Sequence, residues 1–531
     1  MTDAYALACQ AILDKVLQGE VSDAQELAKA KNWACRKFGL SRPPSNPELL
    51  AAAGAKKSAI VRLLRLKPIR SISGVSVITV MARPYPCPKP TPCIYCPGGP
   101  AVGTPQSYTG KEPASARALQ AGYDPHSQVK QRIEQLRAIG HEVDKVELVI
   151  FGGTFLAQPL DYQEWFVREC LDAITGKKSA NLEEAKTRAE TARVRTIGIT
   201  FETRPDWCKE SHVDRMLHFG ATRVELGVQT LYDDIYELVD RGHVVQDVVD
   251  ATRIAKDAGF AIVYHMMPGL PGSSFEKDLA MFQRLFEDPS FRPDMLKIYP
   301  CLVMRGTKLY ELWKAGKFQP MSDEQAVELI VKIKRMLPKW VRVQRIQRDI
   351  PVNLIEGGVK MGNLRSVVQM ELARKGYRCR CIRCREVGHV MLRRGVQPEL
   401  EDVKLLSKKY EASEGEEIFL SFEDVKRDIL IGHLRLRIPS ERAHRPEISR
   451  GTALVRMLYV FGELVPVGGE AKDGTWQHRG FGEGLLKEAE RISAESYDVK
   501  KMAILSGIGT RPYYRRFGYE LEGPYMVKEL G

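Results

Sequence analysis

The sequence predicts an α/β fold. A partial TIM-like (β/α)6 barrel is followed by a C-terminal α+β domain and preceded by a helical N-terminal region. Three observations predict it. Between residues 75 and 300, six short, β-branched and nearly apolar segments alternate with helical stretches, as in a parallel sheet covered on both faces. From residue 416 the run EIFLSFEDVKRDILIGHLRLRI reads as a long hairpin, with strand, helix, strand and helix after it. Residues 1–74 carry helical patterning broken by the Pro-rich stretch at 41–47.

Length and charge set the limits. At about 100–200 residues per domain, 531 residues make about three domains, each able to bury a core. The expected divisions are 1–74 (helical, basic), 75–300 (barrel), 301–400 (basic connector) and 401–531 (α+β). Apolar residues make up 44% and charged residues 28%, a globular balance. No apolar run approaches the ~18–20 residues of a bilayer span. The start, MTDAYALACQAILDKVLQGE, lacks a basic n-region before a continuous apolar core. Eleven cysteines are too sparse for a disulfide scaffold. A cytoplasmic protein with no membrane partner is the expectation.

Eighty Lys and Arg against 67 Asp and Glu give a net charge of +13. The excess is clustered. Lys56–Arg70 holds six basic residues and no acid, and Lys332–Arg348 holds seven and no acid. A third cluster contains Arg374, Lys375, Arg378, Arg380, Arg383 and Arg385. Any one run reads equally well as a solvated face; three together favour a nucleic-acid partner through counterion release.

The strand segments, in order, are 76–82, 145–151, 194–201, 222–229, 260–266 and 295–300. Chemistry in such a barrel belongs at the strand C-termini. Just after the first strand, YPCPKPTPCIYCPGG places Cys87, Cys93 and Cys96 as Cys-x5-Cys-x2-Cys. Three thiolates in a Pro-stiffened loop suit three irons of a 4Fe-4S cluster with the fourth iron open; zinc with a further ligand, or incidental thiols, are the alternatives. Glu202 and Gln229 end apolar strands, placed either to bond a ribose or amino acid group or to satisfy loop amides. Glu225 lies within its strand, and inside a barrel it needs a partner: Arg223, Lys297 or a cofactor.

The C-terminal domain has its own signature. Gln477-His478-Arg479-Gly480-Phe481-Gly482 opens a helix after a strand ending near Phe461, a loop whose backbone N–H groups can turn toward phosphate. In the connector, Cys379, Cys381 and Cys384 form Cys-x-Cys-x2-Cys, read as a structural zinc site short of one ligand. Cys301 is the leading fourth ligand and His389 the second; an iron–sulfur cluster is the alternative. Cys9, Cys35, Cys170 and Cys208 are scattered and read as buried thiols.

The three-cysteine loop followed by Gly152-Gly153-Thr154 resembles the radical S-adenosylmethionine superfamily. The blocks CIYCPGGP, QSYTGKEPAS, VDKVELVIFGGTF, GITFETRPD, RVELGVQT, YHMMPGLPG, YYRRFGY and GPYMVK resemble a narrower family, that of the catalytic subunit of the Elongator complex and its single-chain bacterial and archaeal homologues. The likeness runs from about residue 70 to the C-terminus. The first gap departs from the Cys-x3-Cys of most radical enzymes. The resemblance implies a radical SAM barrel joined to a GNAT-type acetyltransferase domain, with a 4Fe-4S cluster, S-adenosyl-L-methionine, acetyl-CoA and structural zinc.

By resemblance, Gly152, Gly153 and Thr154 receive the methionine amino group, with Glu202 and Gln229 close by. Met457, Leu458, Tyr459 and Val460 pair with pantetheine, and Gln477, Gly480, Phe481, Gly482 and Glu483 lie at the phosphates. Tyr514 lies near the thioester and Lys145 reaches acetyl-CoA from the barrel side; these two are the catalytic candidates. The implied reaction adds an acetyl-derived carboxymethyl group to carbon 5 of the wobble uridine. In the family scheme a 5′-deoxyadenosyl radical takes hydrogen from the acetyl methyl, and the thioester is hydrolysed afterwards. The partner is tRNA, through its anticodon stem-loop, held by the N-terminal region and the connector. A single chain, a homodimer and an Elongator-like assembly all stay open. The rival readings are a protein lysine acetyltransferase with a structural cluster and a non-catalytic tRNA-binding acetyl-CoA sensor.

Overall fold

Seven parallel strands, not six, make the barrel sheet of the computed structural model, which describes residues 2–463 and 476–530. Strands β1 (Ser76–Met81), β2 (Lys145–Phe151), β3 (Arg195–Thr203), β4 (Arg223–Gln229), β5 (Ala261–Met266) and β6 (Met295–Ile298) pair in chain order. A short antiparallel pair, β7 (Val303–Met304) with β9 (Ile355–Gly357), stands apart. Between them in sequence, β8 (Arg342–Ile346) joins β6 in parallel. This corrects the (β/α)6 expectation. Val343 is buried, but Arg342 and Gln344 face the barrel interior, so the strand reads as a basic run and not as an apolar one. β1 and β8 are the two edges of the sheet and do not pair with each other, so the barrel is open along one side.

The sheet's two faces differ sharply. Val146, Leu148 and Ile150 of β2 are buried against the outer helices, while Glu147, Val149 and Phe151 face inward. The inner face gathers charge, with Glu147 and Arg223 paired across the neighbouring strand. Such a wall is costly unless each charge is matched or solvated.

Four helices precede the barrel: Thr2–Leu17, Ala24–Lys37, Asn46–Ala52 and Lys57–Leu64. Asp23 caps the second, and Ser45 with Glu48 forms a capping box on the third, so the Pro-rich break starts a helix cleanly. Their apolar faces close over a core of Ala8, Ile12, Leu27, Ala34, Leu49 and Leu64. His141 ties this layer to the barrel, one ring nitrogen 2.7 Å from Ser71 Oγ and the other 2.9 Å from the Leu66 carbonyl.

The C-terminal region is a mixed sheet of seven strands: β10 (Val403–Ala412), β11 (Gly415–Asp424), β12 (Ile429–Ile438), β13 (Thr452–Val460), β14 (Lys501–Ile504), β15 (Glu520–Glu522) and β16 (Tyr525–Glu529). Their order is β10-β11-β12-β13-β14-β16-β15, and only β13 and β14 run parallel. The helix Phe481–Tyr497 packs on β11, β12 and β13. Leu454, Ala503, Leu505, Ile508, Tyr525 and Val527 of this region sit in the same apolar core as the barrel. Fully buried ion pairs cross the seam, Arg456 to Asp294 at 2.7 Å and Arg437 to Asp257 at 2.7 Å, and both arginines are also paired with Glu417 of their own sheet. Among the described residues no helix is long and apolar enough to cross a membrane.

The rigid Pro268–Gly272 turn is pinned by Asp278, in the helix Phe275–Glu287, which accepts from the Gly269 N–H and the Ser273 hydroxyl, each at 2.7 Å. Burial outweighs those bonds and raises its carboxyl from 3.8 to about 6. The folded state therefore holds this proton between about pH 4 and 6 where the unfolded chain has lost it, so stability falls as pH rises through that window. At ~1.4 kcal/mol per unit the loss is about 3 kcal/mol. Asp278→Asn is expected to flatten that part of the stability profile in urea titrations between pH 4 and 6.5; an unchanged slope would refute the assignment.

Candidate active site

A single cavity of about 750 Å3 runs through the barrel interior. Cys87, Cys93, Cys96, Gly153, Thr154, Glu202 and Gln229 line it from the barrel, and Met457 and Tyr459 from β13.

The three loop cysteines are separately placed: their sulfurs do not all fall within 4.8 Å of one another. Cys93 lies 3.6 Å from an Arg241 guanidinium nitrogen and 3.9 Å from Lys89 Nζ. Burial alone would raise its thiol, but Arg241, Lys89 and Arg204 outweigh it and hold the thiol below its ordinary value. Cys96 Sγ lies 2.9 Å from Ser107 Oγ and 3.3 Å from Gln106 Nε2. The donor set fits the cluster: three thiols line one cavity, with positive charge beside Cys93 and hydrogen-bond donors beside Cys96.

At the C-terminal end of β2, Gly152 has φ 126°, and a Cβ there would lie 3.0 Å from the Ala82 backbone nitrogen. Only glycine lets this turn lie against β1. Gly153 follows with φ 74°, its open side toward Gln106. Glu202 accepts from the Tyr108 hydroxyl at 3.0 Å and from Lys297 at 3.4 Å. Glu225 meets Lys297 and, at 2.7 Å, His265. Burial pushes the Glu225 carboxyl up, and Lys297 and His265 more than reverse it, holding it well below the usual range. Of the partners expected for Glu225, Lys297 is the one in contact; Arg223 is taken by Glu147. Gln229 sits at φ 73°, with its Oε1 buried and without a hydrogen-bond partner at the cavity wall. An orphaned acceptor of this kind asks for a donor from a ligand.

The C-terminal site is built on a strand that parts from its neighbour. β13 pairs with β14 only through Val455, while its pairing with β12 continues to Val460. The edge over Met457–Val460 is therefore free on one side. Gln477 Nε2 donates to the Val460 carbonyl at 3.2 Å, and Lys145 Nζ donates to Gln477 Oε1 at 3.0 Å. Burial lowers the Lys145 amine from its ordinary value. Gly480, at φ 82°, starts the helix Phe481–Tyr497, and a Cβ on Gly482 would lie 2.7 Å from the Tyr513 hydroxyl oxygen. Glu483 points to Lys487 at 2.8 Å. Phe481 packs against Phe422, ring centroids 5.0 Å apart.

Neither Lys145 nor Tyr514 lines the cavity. Lys145 stands at the opposite end of β2 from Gly152, roughly 20 Å away at 3.3 Å per residue. Tyr514 is buried in the sheet–helix core with Tyr519 and Leu485, so of the two adjacent tyrosines Tyr513 is the one at the glycine loop.

Cys379, Cys381 and Cys384 bring their sulfurs within 4.8 Å of one another, the compactness a single tetrahedral ion requires. Cys301 is not among them, which corrects its assignment as the fourth ligand. Its side chain packs with Ile94, Tyr95, Val303 and Leu309 below the first cysteine loop, and burial pushes its thiol to about 12. His389 faces Glu386, 2.9 Å away. Among the described residues no fourth His, Cys, Asp or Glu completes the group.

Sequence reasoning missed Arg241, Tyr108 and His433. Tyr108 lay in a block noted only for its likeness, and Arg241 follows a short helix with nothing to mark it. His433, on β12, is 2% exposed and stacked near Phe419, Tyr459 and Phe461, with neither ring nitrogen hydrogen-bonded. Its alternation with Gly432 and Leu434 reads as an ordinary strand.

Comparison with known proteins agrees with this geometry. The Radical SAM superfamily pattern matches residues 87–285, the Radical_SAM C-terminal domain 293–374 and the ELP3 N-terminal domain 5–72. A tRNA uridine(34) acetyltransferase of Methanocaldococcus jannaschii is 49% identical over 98% of this chain and 96% of its own. Elongator complex protein 3 of Danio rerio is 46% identical over 95% of this chain and 93% of its own. The solved structure of Elp3 from Methanocaldococcus infernus, lacking residues 1-46, superposes with a TM-score of 0.77 at 49% identity, covering 86% of this chain and 100% of that one. The parallel half-barrel is thus a radical SAM barrel, and the chain belongs to the Elp3 family.

Proposed function

We propose that this protein modifies the wobble uridine, position 34, of tRNA, placing an acetyl-derived carboxymethyl group on carbon 5. The observation that carries the reading is the continuity of the cavity: one space is walled by the three loop cysteines and by Met457 and Tyr459 of the splayed strand. Carbon 5 of uracil is too weak a nucleophile for ordinary acyl transfer to form a carbon–carbon bond. When bound, a 4Fe-4S cluster on Cys87, Cys93 and Cys96 supplies the electron that cleaves S-adenosyl-L-methionine reductively, and so the radical chemistry such a bond needs.

The chain's own residues bind and orient. Gly153 and Thr154 receive the amino group of S-adenosyl-L-methionine, and Gln229 Oε1 and Glu202 take its remaining polar hydrogens. The GNAT-type half, residues 401–531, holds acetyl-CoA: the free edge of Met457–Val460 pairs with pantetheine, and the N–H groups after Gly480 face the phosphates. Lys145 acts by fixing Gln477, and Tyr513 closes the far side with Tyr514 packed behind it. The helices of 1–74 and the connector 301–400 hold the RNA, whose anticodon loop lets one base leave the stack. Cys379, Cys381 and Cys384 hold a structural zinc ion with a non-protein or backbone fourth ligand.

The test is anaerobic incubation of iron-loaded protein with both cofactors and either a tRNA transcript or a lysine-rich peptide. Expected is 5-carboxymethyluridine in the nucleoside digest, absent when position 34 is cytidine, with coenzyme A release dependent on tRNA. Acetyl-lysine in the peptide and no modified nucleoside would replace this reading with that of a protein acetyltransferase.

A further inference from the structure

The open side of the barrel carries charge that no ion pair among the described residues neutralises. Arg70 stands at the foot of the edge strand β1, and Arg117 and Arg132 on the helices Pro113–Gln120 and Pro125–Ala138 that pack against it. Arg383 belongs to the short helix Ile382–Arg385 beside the other edge strand, β8. All four line the cavity. The two sides meet below the opening, where the Ser73 hydroxyl donates to Glu386 at 2.8 Å.

Among the described residues none of the four forms an ion pair. Arg117 has only the Thr79 hydroxyl at 3.4 Å, Arg132 only the Gln135 amide at 3.4 Å, and the buried Arg383 Nε has no hydrogen-bond partner. Their neighbours are treated otherwise: Arg342 pairs with Glu386, Arg345 with Asp349, and Arg223 with Glu147. Burial, then the charges of Arg117 and Arg70, press the Arg132 guanidinium below its ordinary value. Arg117, Arg132 and Arg383 are half-buried and Arg70 is exposed. Arg70, Arg117 and Arg132 repel one another, and Arg383 is repelled by Arg342 and Arg365, a cost that a multivalent anion would relieve. The fork geometry of Arg suits a phosphate.

We propose that Arg70, Arg117, Arg132 and Arg383 form a phosphate clamp across the open side of the barrel, gripping the RNA backbone next to the base that enters the cavity. This rests on the proposed action on RNA. Coenzyme A also carries phosphates, but the loop assigned to them is at Gln477–Gly482, held by Lys145 at the N-terminal end of β2, whereas Arg117 reaches mid-β1 at Thr79.

The experiment measures tRNA binding by the full-length protein across 50–300 mM salt for wild type, Arg117→Gln/Arg132→Gln, Arg383→Gln and Arg117→Lys/Arg132→Lys. Each lost phosphate contact lowers the log–log salt slope by about 0.7–0.9. The double glutamine variant is expected to bind at least about tenfold more weakly at 150 mM, with a slope smaller by about 1–2. Its affinity for acetyl-CoA should match wild type and its melting temperature should not fall, because among the described residues neither arginine forms an ion pair, each has one long hydrogen bond to lose, and the change relieves their repulsion. Arg383→Gln should act in the same direction, and the lysine pair should restore the slope. Unchanged tRNA affinity and slope in both glutamine variants overturns the clamp. So does a loss confined to acetyl-CoA, which would make the phosphate the coenzyme's. Wild-type protein that binds no tRNA at all would instead bring down the proposed function.

Discussion

Cys93→Ser is expected to abolish formation of modified uridine, a fall of at least about a thousandfold, equivalent to about 4 kcal/mol of barrier. Cys93 is the loop thiol whose surroundings favour the thiolate: Arg241 at 3.6 Å and Lys89 at 3.9 Å overcome burial that would otherwise keep it protonated. A serine hydroxyl does not ionise there and does not replace a thiolate on iron. Metal analysis separates the two cysteine sets. Iron should fall away in Cys93→Ser while zinc, proposed for Cys379, Cys381 and Cys384, is retained. Wild-type levels of modified uridine from the serine variant, in cells or in vitro, would defeat the radical reading outright.

Asp294→Ala should be the most damaging single change to stability, costing about 3–5 kcal/mol. Asp294 is fully buried and takes Arg456 through both oxygens, at 2.9 and 2.7 Å, with Arg435 at 3.1 Å and the Ile262 N–H at 2.8 Å. Burial raises its carboxyl, but Arg456 and Arg435 more than reverse this and hold it far below the usual range. Without it two guanidiniums remain enclosed with too little negative charge. The damage should reach the site too, because Arg456 immediately precedes Met457 on the splayed strand. Urea unfolding gives the energy. An unchanged midpoint would show that the seam relaxes and admits water.

Where chemistry and periodicity agreed, the sequence was easy to read. β2 is apolar on both faces except for Lys145 at its start and Glu147, and its Gly152-Gly153 end is a turn that side chains do not tolerate, so strand and site announced themselves together. β8 did not, because its inward residues are Arg342 and Gln344 and the cavity, not the core, set their character. Cys301 misled for a related reason. Its position after β6 suggested a metal, yet chain proximity to the connector says nothing about the direction of a side chain that burial turns toward Ile94 and Leu309. Arg241 and His433 act through distant neighbours, Cys93 and Tyr459, and no local pattern carries pairings of that range.

Leu454, Ala503 and Tyr525 fill the same interior as the barrel's own strands, and the Tyr525 hydroxyl donates to the Ala258 carbonyl at 3.0 Å. The two halves are therefore not interchangeable cartridges. An unrelated sheet spliced behind residue 400 would leave the barrel's side of that shared interior uncovered.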